Sequence, residues 1–166
     1  MSYTLYYPDR INRITCEMQI SKRCEYALRA IFALSSKDTA QPVRTYEIAE
    51  AQGISRRFLE AILNELKHGG FVESRRGNKG GYILARSAEE LTVGEIFEYI
   101  QGPISIVRAG NRKDKESTVH WGDNAFAQLW QEVDQAMLKV WNNKTFADLV
   151  KFEKNSSQAR ASNYVI

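Results

Sequence analysis

Cysteine is scarce: Cys16 and Cys24 are the only two, too few for a disulfide framework. No apolar run approaches the roughly 18 residues that suggest a membrane span, so none is expected. The opening stretch, MSYTLYYPDR, lacks the basic start and apolar centre of a secretory signal. Catalytic signatures are missing too. There is no HExxH, no Walker loop, no recognisable nucleophile–base pair and no paired-carboxylate spacing. Gly77-Asn78-Lys79-Gly80-Gly81 is rich in glycine but has the wrong spacing for a phosphate loop. No internal repeat is visible. These absences exclude a disulfide scaffold, a membrane protein and the familiar enzyme classes, and the expectation is a soluble cytoplasmic chain that is not an enzyme.

With 166 residues, the chain suits one domain, or one small domain with an appended element. Its 43% hydrophobic and 26% charged residues are ordinary for a globular protein. The net charge of +3 is mild, but its distribution is not. Between residues 55 and 86 the cations Arg56, Arg57, Lys67, Arg75, Arg76, Lys79 and Arg86 face only Glu60, Glu65 and Glu73, an excess of four. A local basic patch on a near-neutral chain fits phosphate contact better than general solubility.

That patch lies on a helix, a break and a hairpin. Phe58, Leu59, Ile62, Leu63 and Leu66 form one apolar stripe at helical spacing. Ser55 stands ahead of it as a cap, and Gly69 and Gly70 end it, because glycine takes left-handed geometry freely. The opposite face carries Arg56, Arg57, Glu60, Ala61, Asn64, Lys67 and His68. Phe71-Val72 and Tyr82-Ile83-Leu84 then read as short strands around the turn-rich, cationic loop Ser74-Arg75-Arg76-Gly77-Asn78-Lys79-Gly80-Gly81. Either piece alone would pass for a solvated surface element.

The preceding residues change that. Residues 1–17 form an arm without clear period, and Met18 is a second candidate start. A helix capped by Ser21 runs to about Ser35 with Tyr26, Ala27, Ala30, Ile31 and Leu34 on one side, followed by a loop at 37–42. A second helix, capped by Thr45, contains Ile48 and Ala49 and ends in the tight turn Gln52-Gly53-Ile54. A short helix, a glycine turn and a capped amphipathic helix make a helix-turn-helix, whose second helix is the one expected in the major groove. The expected fold is therefore mostly α with a small β-hairpin wing: a winged helix-turn-helix domain over residues 18–103.

Thr92 and Glu95 then form a capping box for a helix carrying Val93, Ile96, Phe97 and Ile100, which ends at Gly102-Pro103. Residues 104–123 are polar and irregular and read as a mobile, sensor-type loop. The dimerisation helices are expected over 124–152. In the long first one, from about Asn124 to Asn142, Phe126, Leu129, Trp130, Val133, Met137, Val140 and Trp141 recur at offsets 0, 3, 4, 7, 11, 14 and 15, a heptad-like seam. So small a domain has little core left to cover it, so a seam between two chains is expected. Thr145 caps a short last helix with Phe146, Leu149 and Val150, and 153–166 read as a disordered tail.

Four segments, KRCEYALRAIFAL at 22–34, IAEAQGISRRFLEAILNEL at 48–66, GFVESRRGNKGGYIL at 70–84 and LTVGEIFEYIQGP at 91–103, resemble the IscR-like family of bacterial winged-helix transcription regulators. The resemblance covers most of residues 18–150. It implies a homodimer on a palindromic operator in double-stranded DNA, held together by the long C-terminal helices. Position by position, Ser55, Arg56, Arg57, Phe58 and Glu60 match the family's major-groove face within a recognition helix at 55–68. Arg76 matches the arginine by which a wing, here 74–82, enters the minor groove. Thr45, Arg75, Gly77 and Lys79 complete the candidate DNA-contacting set. The chemistry agrees, since arginine pairs bidentately with guanine and a narrow minor groove attracts guanidinium.

One departure bears on cofactors. Cluster-binding members of the family carry three cysteines in the loop before the dimer helix, and residues 105–123 contain none. The usual iron–sulfur cluster is held by thiolates and cannot form there. Cys24, Glu25 and His120 are the remaining candidates for an unconventional mixed site, and Cys16 or Cys24 for a thiol switch. The leading functional reading is a dimeric transcription repressor. The alternatives are a winged-helix module for protein partners, or the same regulator carrying an unusual cluster as redox sensor.

Overall fold

The computed structural model describes residues 20–37, 41–77, 80–103 and 120–162. The expected arm at 1–17, most of the expected sensor loop, and Lys79 lie outside these residues.

The first helix, α1 (Lys22–Ser35), is the element that most others pack on. Cys24, Ala27, Ala30, Ile31 and Leu34 fall on one helical stripe and are buried, and the alanines let neighbouring backbones come close. Helices α2 (Thr45–Gln52), α3 (Arg56–His68), α4 (Val93–Gln101) and α6 (Phe146–Ser162) and strand β2 (Gly81–Leu84) all meet it. Its start is capped by Ser21, whose Oγ accepts from the Cys24 N–H at 3.2 Å. The Ser21 N–H in turn donates to Gln101 Oε1 at the end of α4, 2.8 Å away.

Helices α2 and α3 form the helix-turn-helix. Gly53 closes α2 at φ 62°, a left-handed conformation that other residues rarely take, and Ile54 behind it is buried. Thr45 is not the cap. Arg44 holds that position without a side-chain capping hydrogen bond, and its carbonyl accepts from the Glu47 and Ile48 N–H groups, at 3.0 and 3.3 Å. Thr45 is instead the first helical residue.

After α3, strands β1 (Val72–Arg75) and β2 pair antiparallel, Val72 opposite Leu84 and Arg75 opposite Gly81. A third segment joins them: the Val43 and Tyr82 N–H groups each donate to the other's carbonyl at 2.9 Å. A Cβ on Gly81 would collide with the Val43 carbonyl. The glycine thus admits the chain leading into α2 against the base of the wing, and so fixes hairpin and helix-turn-helix relative to each other.

Helix α4 begins with the expected capping box. Glu95 Oε2 accepts from the Thr92 N–H at 3.0 Å, and Thr92 Oγ1 from the Glu95 N–H at 3.3 Å. Helix α5 (Asp123–Asn142) runs 20 residues without burying one. Its junction with α6 is stitched back onto the domain: the Val93 N–H donates to the Lys144 carbonyl at 2.9 Å, and the Phe146 N–H to the Leu91 carbonyl at 3.0 Å. Phe146 and Leu91 are fully buried. Thr145 caps α6 as expected, with Oγ1 accepting from the Asp148 N–H at 3.1 Å. The expected tail is different, for α6 continues to Ser162. Residues 153–162 hold neither Gly nor Pro, and Ser157 bonds to Glu153 one turn back. Polarity here marks a solvated helix.

Candidate nucleic-acid interface

Amphipathicity builds this site. Leu59, Ile62, Leu63 and Leu66 anchor α3 in the core, which turns Arg56, Arg57, Glu60, Asn64, Lys67 and His68 outward, all exposed. Phe58 belongs with the second group, being 65% exposed. It lies one residue, or about 100° of helix rotation, from Leu59, which takes it off the stripe in which its type and spacing had placed it. Ser55 caps the helix weakly, its Oγ accepting from the Phe58 N–H at 3.5 Å.

Ion pairs orient part of this surface. Arg56 Nε lies 3.0 Å from Glu60 Oε1, one turn along, so Glu60 buttresses Arg56 and reduces the local positive charge. Among the described residues, Arg57 has no such partner. His68 Nδ1 lies 2.7 Å from the Asn64 carbonyl; a carbonyl only accepts, so Nδ1 carries the hydrogen, leaving Nε2 on the outer edge of the ring. The helix is also tied from behind. Arg23 reaches both oxygens of the Glu65 carboxylate, with its Nε at 2.9 Å, and the Tyr99 hydroxyl donates to the Glu65 carbonyl at 3.2 Å. This clamp escaped sequence reading because its members lie 42 and 34 residues apart.

The glycines after α3 have different tasks. Gly69 takes ordinary right-handed geometry at φ −75°; a Cβ there would stand 2.6 Å from the Tyr99 ring. Gly70, at φ 74°, is the left-handed residue that reverses the chain into β1. In the wing, Arg75 Nη2 lies 3.4 Å from Glu73, while Arg76 is exposed and pairs with no other described residue. Gly77 turns the chain at φ 111°, and its carbonyl accepts from the Gly80 N–H at 2.9 Å. Thr45 is half-buried at the start of α2. Beside it, Arg44 lies over the Tyr46 ring at 6.0 Å, a cation at the base of the wing that helical periodicity could not single out.

Among the described residues, those available for a metal do not come together as a cluster site would require. Cys24 is completely buried, and burial pushes its thiol up to about 11, away from the thiolate that metals and oxidants need. Glu25 is engaged by Lys22 at 2.8 Å and by Arg29 at 3.0 Å; the Lys22 hydrogen bond is the first cause holding its carboxyl below the usual range. His120 is exposed, and its backbone N–H donates to Asp123 Oδ2 at 2.7 Å. Among the described residues no three His, Cys, Asp or Glu side chains gather at metal-binding distance. With no cysteine between 104 and 122, this donor set does not fit a thiolate-held cluster.

The family model of Rrf2, described as an iron-dependent transcriptional regulator, matches residues 20–152. The chain belongs to the Rrf2 family. It is 30% identical over 142 residues to the HTH-type transcriptional regulator CymR of Bacillus subtilis, covering 86% of this chain and 96% of CymR. With Escherichia coli IscR it shares 29% over 134 residues, 80% of each chain. Among solved structures, B. subtilis CymR, described there as the global cysteine regulator, superposes with a TM-score of 0.69 at 28% identity, covering 81% of this chain and 98% of that one. T. potens IscR gives a TM-score of 0.68 at 28%, covering 84% and 91%. The helix-turn-helix and hairpin are therefore those of a winged-helix, DNA-binding transcription regulator of the Rrf2 family, which is not an enzyme. No helix among its described residues is long and apolar enough to cross a membrane.

The residues of the expected dimer seam divide. Phe126, Leu129, Trp130 and Val140 are exposed, at 59%, 45%, 37% and 57%; Val133 and Met137 are half-buried. Trp141 departs from the expected seam. It packs on Phe97 of its own chain, ring centroids 4.2 Å apart, because it lies at the end of α5 stitched onto α4.

Proposed function

We propose that the protein is a homodimeric repressor that binds a palindromic operator, with α3 in the major groove and the wing in the minor groove. The observation that carries this reading is that one chain presents two outward surfaces, one cationic and one apolar. Helix α3 turns Arg56 and Arg57 outward at its start, while α5 leaves Phe126, Leu129, Trp130 and Val140 exposed. Monomeric proteins rarely leave so large an apolar face uncovered. A twofold axis along α5 covers it with its own copy and presents two recognition helices to two half-sites, as palindromic operators require. Occupancy of a site overlapping a promoter blocks polymerase, hence repression.

The experiment is binding to the DNA upstream of its own reading frame across a salt series. Contacts from Arg57, Arg75 and Arg76 of both copies predict a slope of about −5 in log K against log salt. Arg76→Ala removes two of these charges, so the slope falls by about 2 and specific affinity drops. Unchanged binding by Arg76→Ala removes the wing from the reading. A stable complex with another protein, without specific DNA affinity, replaces the reading altogether.

A further inference from the structure

Phe58 is 65% exposed while its neighbour Leu59 is fully buried. It occupies the first turn of α3, next to Arg56 and Arg57 and three residues beyond the Ser55 cap. Ala61, one turn on, is also exposed, so an apolar strip runs along the flank of a helix whose outer face is otherwise polar and charged. Single exposed apolar residues are common on protein surfaces; the position of this one, at the leading end of the helix that reads DNA, sets it apart. Leading residues of a recognition helix are those that meet base edges.

A phenyl ring has no donor or acceptor for a base edge. In the major groove the four bases display hydrogen-bonding groups and one apolar feature, the C5-methyl of thymine. Burial of that methyl against the ring removes apolar surface of both partners from water. We propose that Phe58 reads a thymine methyl, one per half-site, and so sets a preference for T·A at that position while Arg56 and Arg57 contact neighbouring groups. This rests on the placement of α3 in the major groove. The competing role is internal: with Tyr26, Ala61 and Ile62 the ring lines a groove of about 420 Å³ between α1 and α3, where it would serve stability.

The test uses the full chain and unmethylated synthetic DNA, in which thymine is the only carrier of the methyl. Duplexes are first enriched from a random library. Each thymine of the enriched site is then replaced by deoxyuridine, and affinities are measured for wild type and Phe58→Ala. One position per half-site is expected at which wild type loses about fourfold on removal of the methyl, the worth of one buried methyl-sized group. Phe58→Ala should bind thymine and uracil duplexes equally well there. If no uracil substitution weakens wild type more than twofold, or if Phe58→Ala keeps the full loss, Phe58 does not read the methyl. If no sequence is enriched at all, it is the groove placement of α3 that fails. Should Phe58→Ala not fold, the ring serves the internal groove, and Phe58→Asn provides the comparison on DNA.

Discussion

Helix α5 makes two opposite predictions within one element. Leu129 is 45% exposed, so a partner chain has about half of its side chain left to bury. Complete burial of a leucine side chain is worth about 1.5–3 kcal/mol; the exposed share is then about 1 kcal/mol, and a twofold axis counts it twice. Leu129→Ala should weaken the dimer by about 2 kcal/mol, roughly 30-fold in dissociation constant, and leave the fold of the isolated protomer almost untouched. Trp141→Ala should do the reverse. Its ring rests on Phe97 with centroids 4.2 Å apart, and truncating such a packed tryptophan costs about 3 kcal/mol of protomer stability. For a chain of this size that lowers the melting temperature by roughly 10 °C. Sedimentation velocity over a concentration series reads the first effect, and calorimetry at a dilution where the protein is monomeric reads the second. If Leu129→Ala leaves the dissociation constant within threefold and lowers the protomer's melting temperature, the exposed face of α5 is not the interface.

Two further outcomes follow from the interior. In a Cys16→Ser background Cys24 is the sole thiol, fully buried and pushed up to about 11 by burial. Labelling by a disulfide reagent at pH 8 should be slowed at least about 1000-fold relative to urea-unfolded protein; labelling within tenfold of the unfolded rate would restore Cys24 as a switch. Glu95 is pushed up by burial, but the Thr92 backbone N–H, Arg86 and the Thr92 hydroxyl together outweigh this and hold its carboxyl below the usual range. A carboxyl depressed in the folded state contributes stability that is present above its unfolded value of about 4.3 and lost as pH falls through the folded value. Solvent screening keeps the Arg86 pair to about 0.5 kcal/mol. Glu95→Gln retains an acceptor for the cap but loses the charge, so it should melt slightly lower than wild type at pH 7 and equal it near pH 3 by thermal scans; a gap that persists at pH 3 would assign the loss to the cap.

The elements that sequence made legible are those specified by local chemistry. Ser21, Ser55 and the Thr92–Glu95 box announce helix starts because a cap is a contact across three residues. The turn at Gly53 and the stripe of Leu59, Ile62, Leu63 and Leu66 are likewise local, and together they outline the helix-turn-helix. What sequence left open is set at long range. The heptad-like spacing placed Trp130 and Trp141 in one seam, yet Trp141 turns inward because backbone bonds at Val93 and Phe146 fasten the end of α5 to the domain, while Trp130, three turns earlier, has left it. Periodicity identifies an apolar face but not the chain that will cover it. For a related reason periodicity alone drew Phe58 into the stripe, where the resemblance had it on the outer face; its angle on the helix leaves it 65% exposed. The Arg23–Glu65 clamp is the converse, for no local pattern links two charges 42 residues apart. The pair ties α3 to α1, and the proposed reading of base edges in one register requires such a backing.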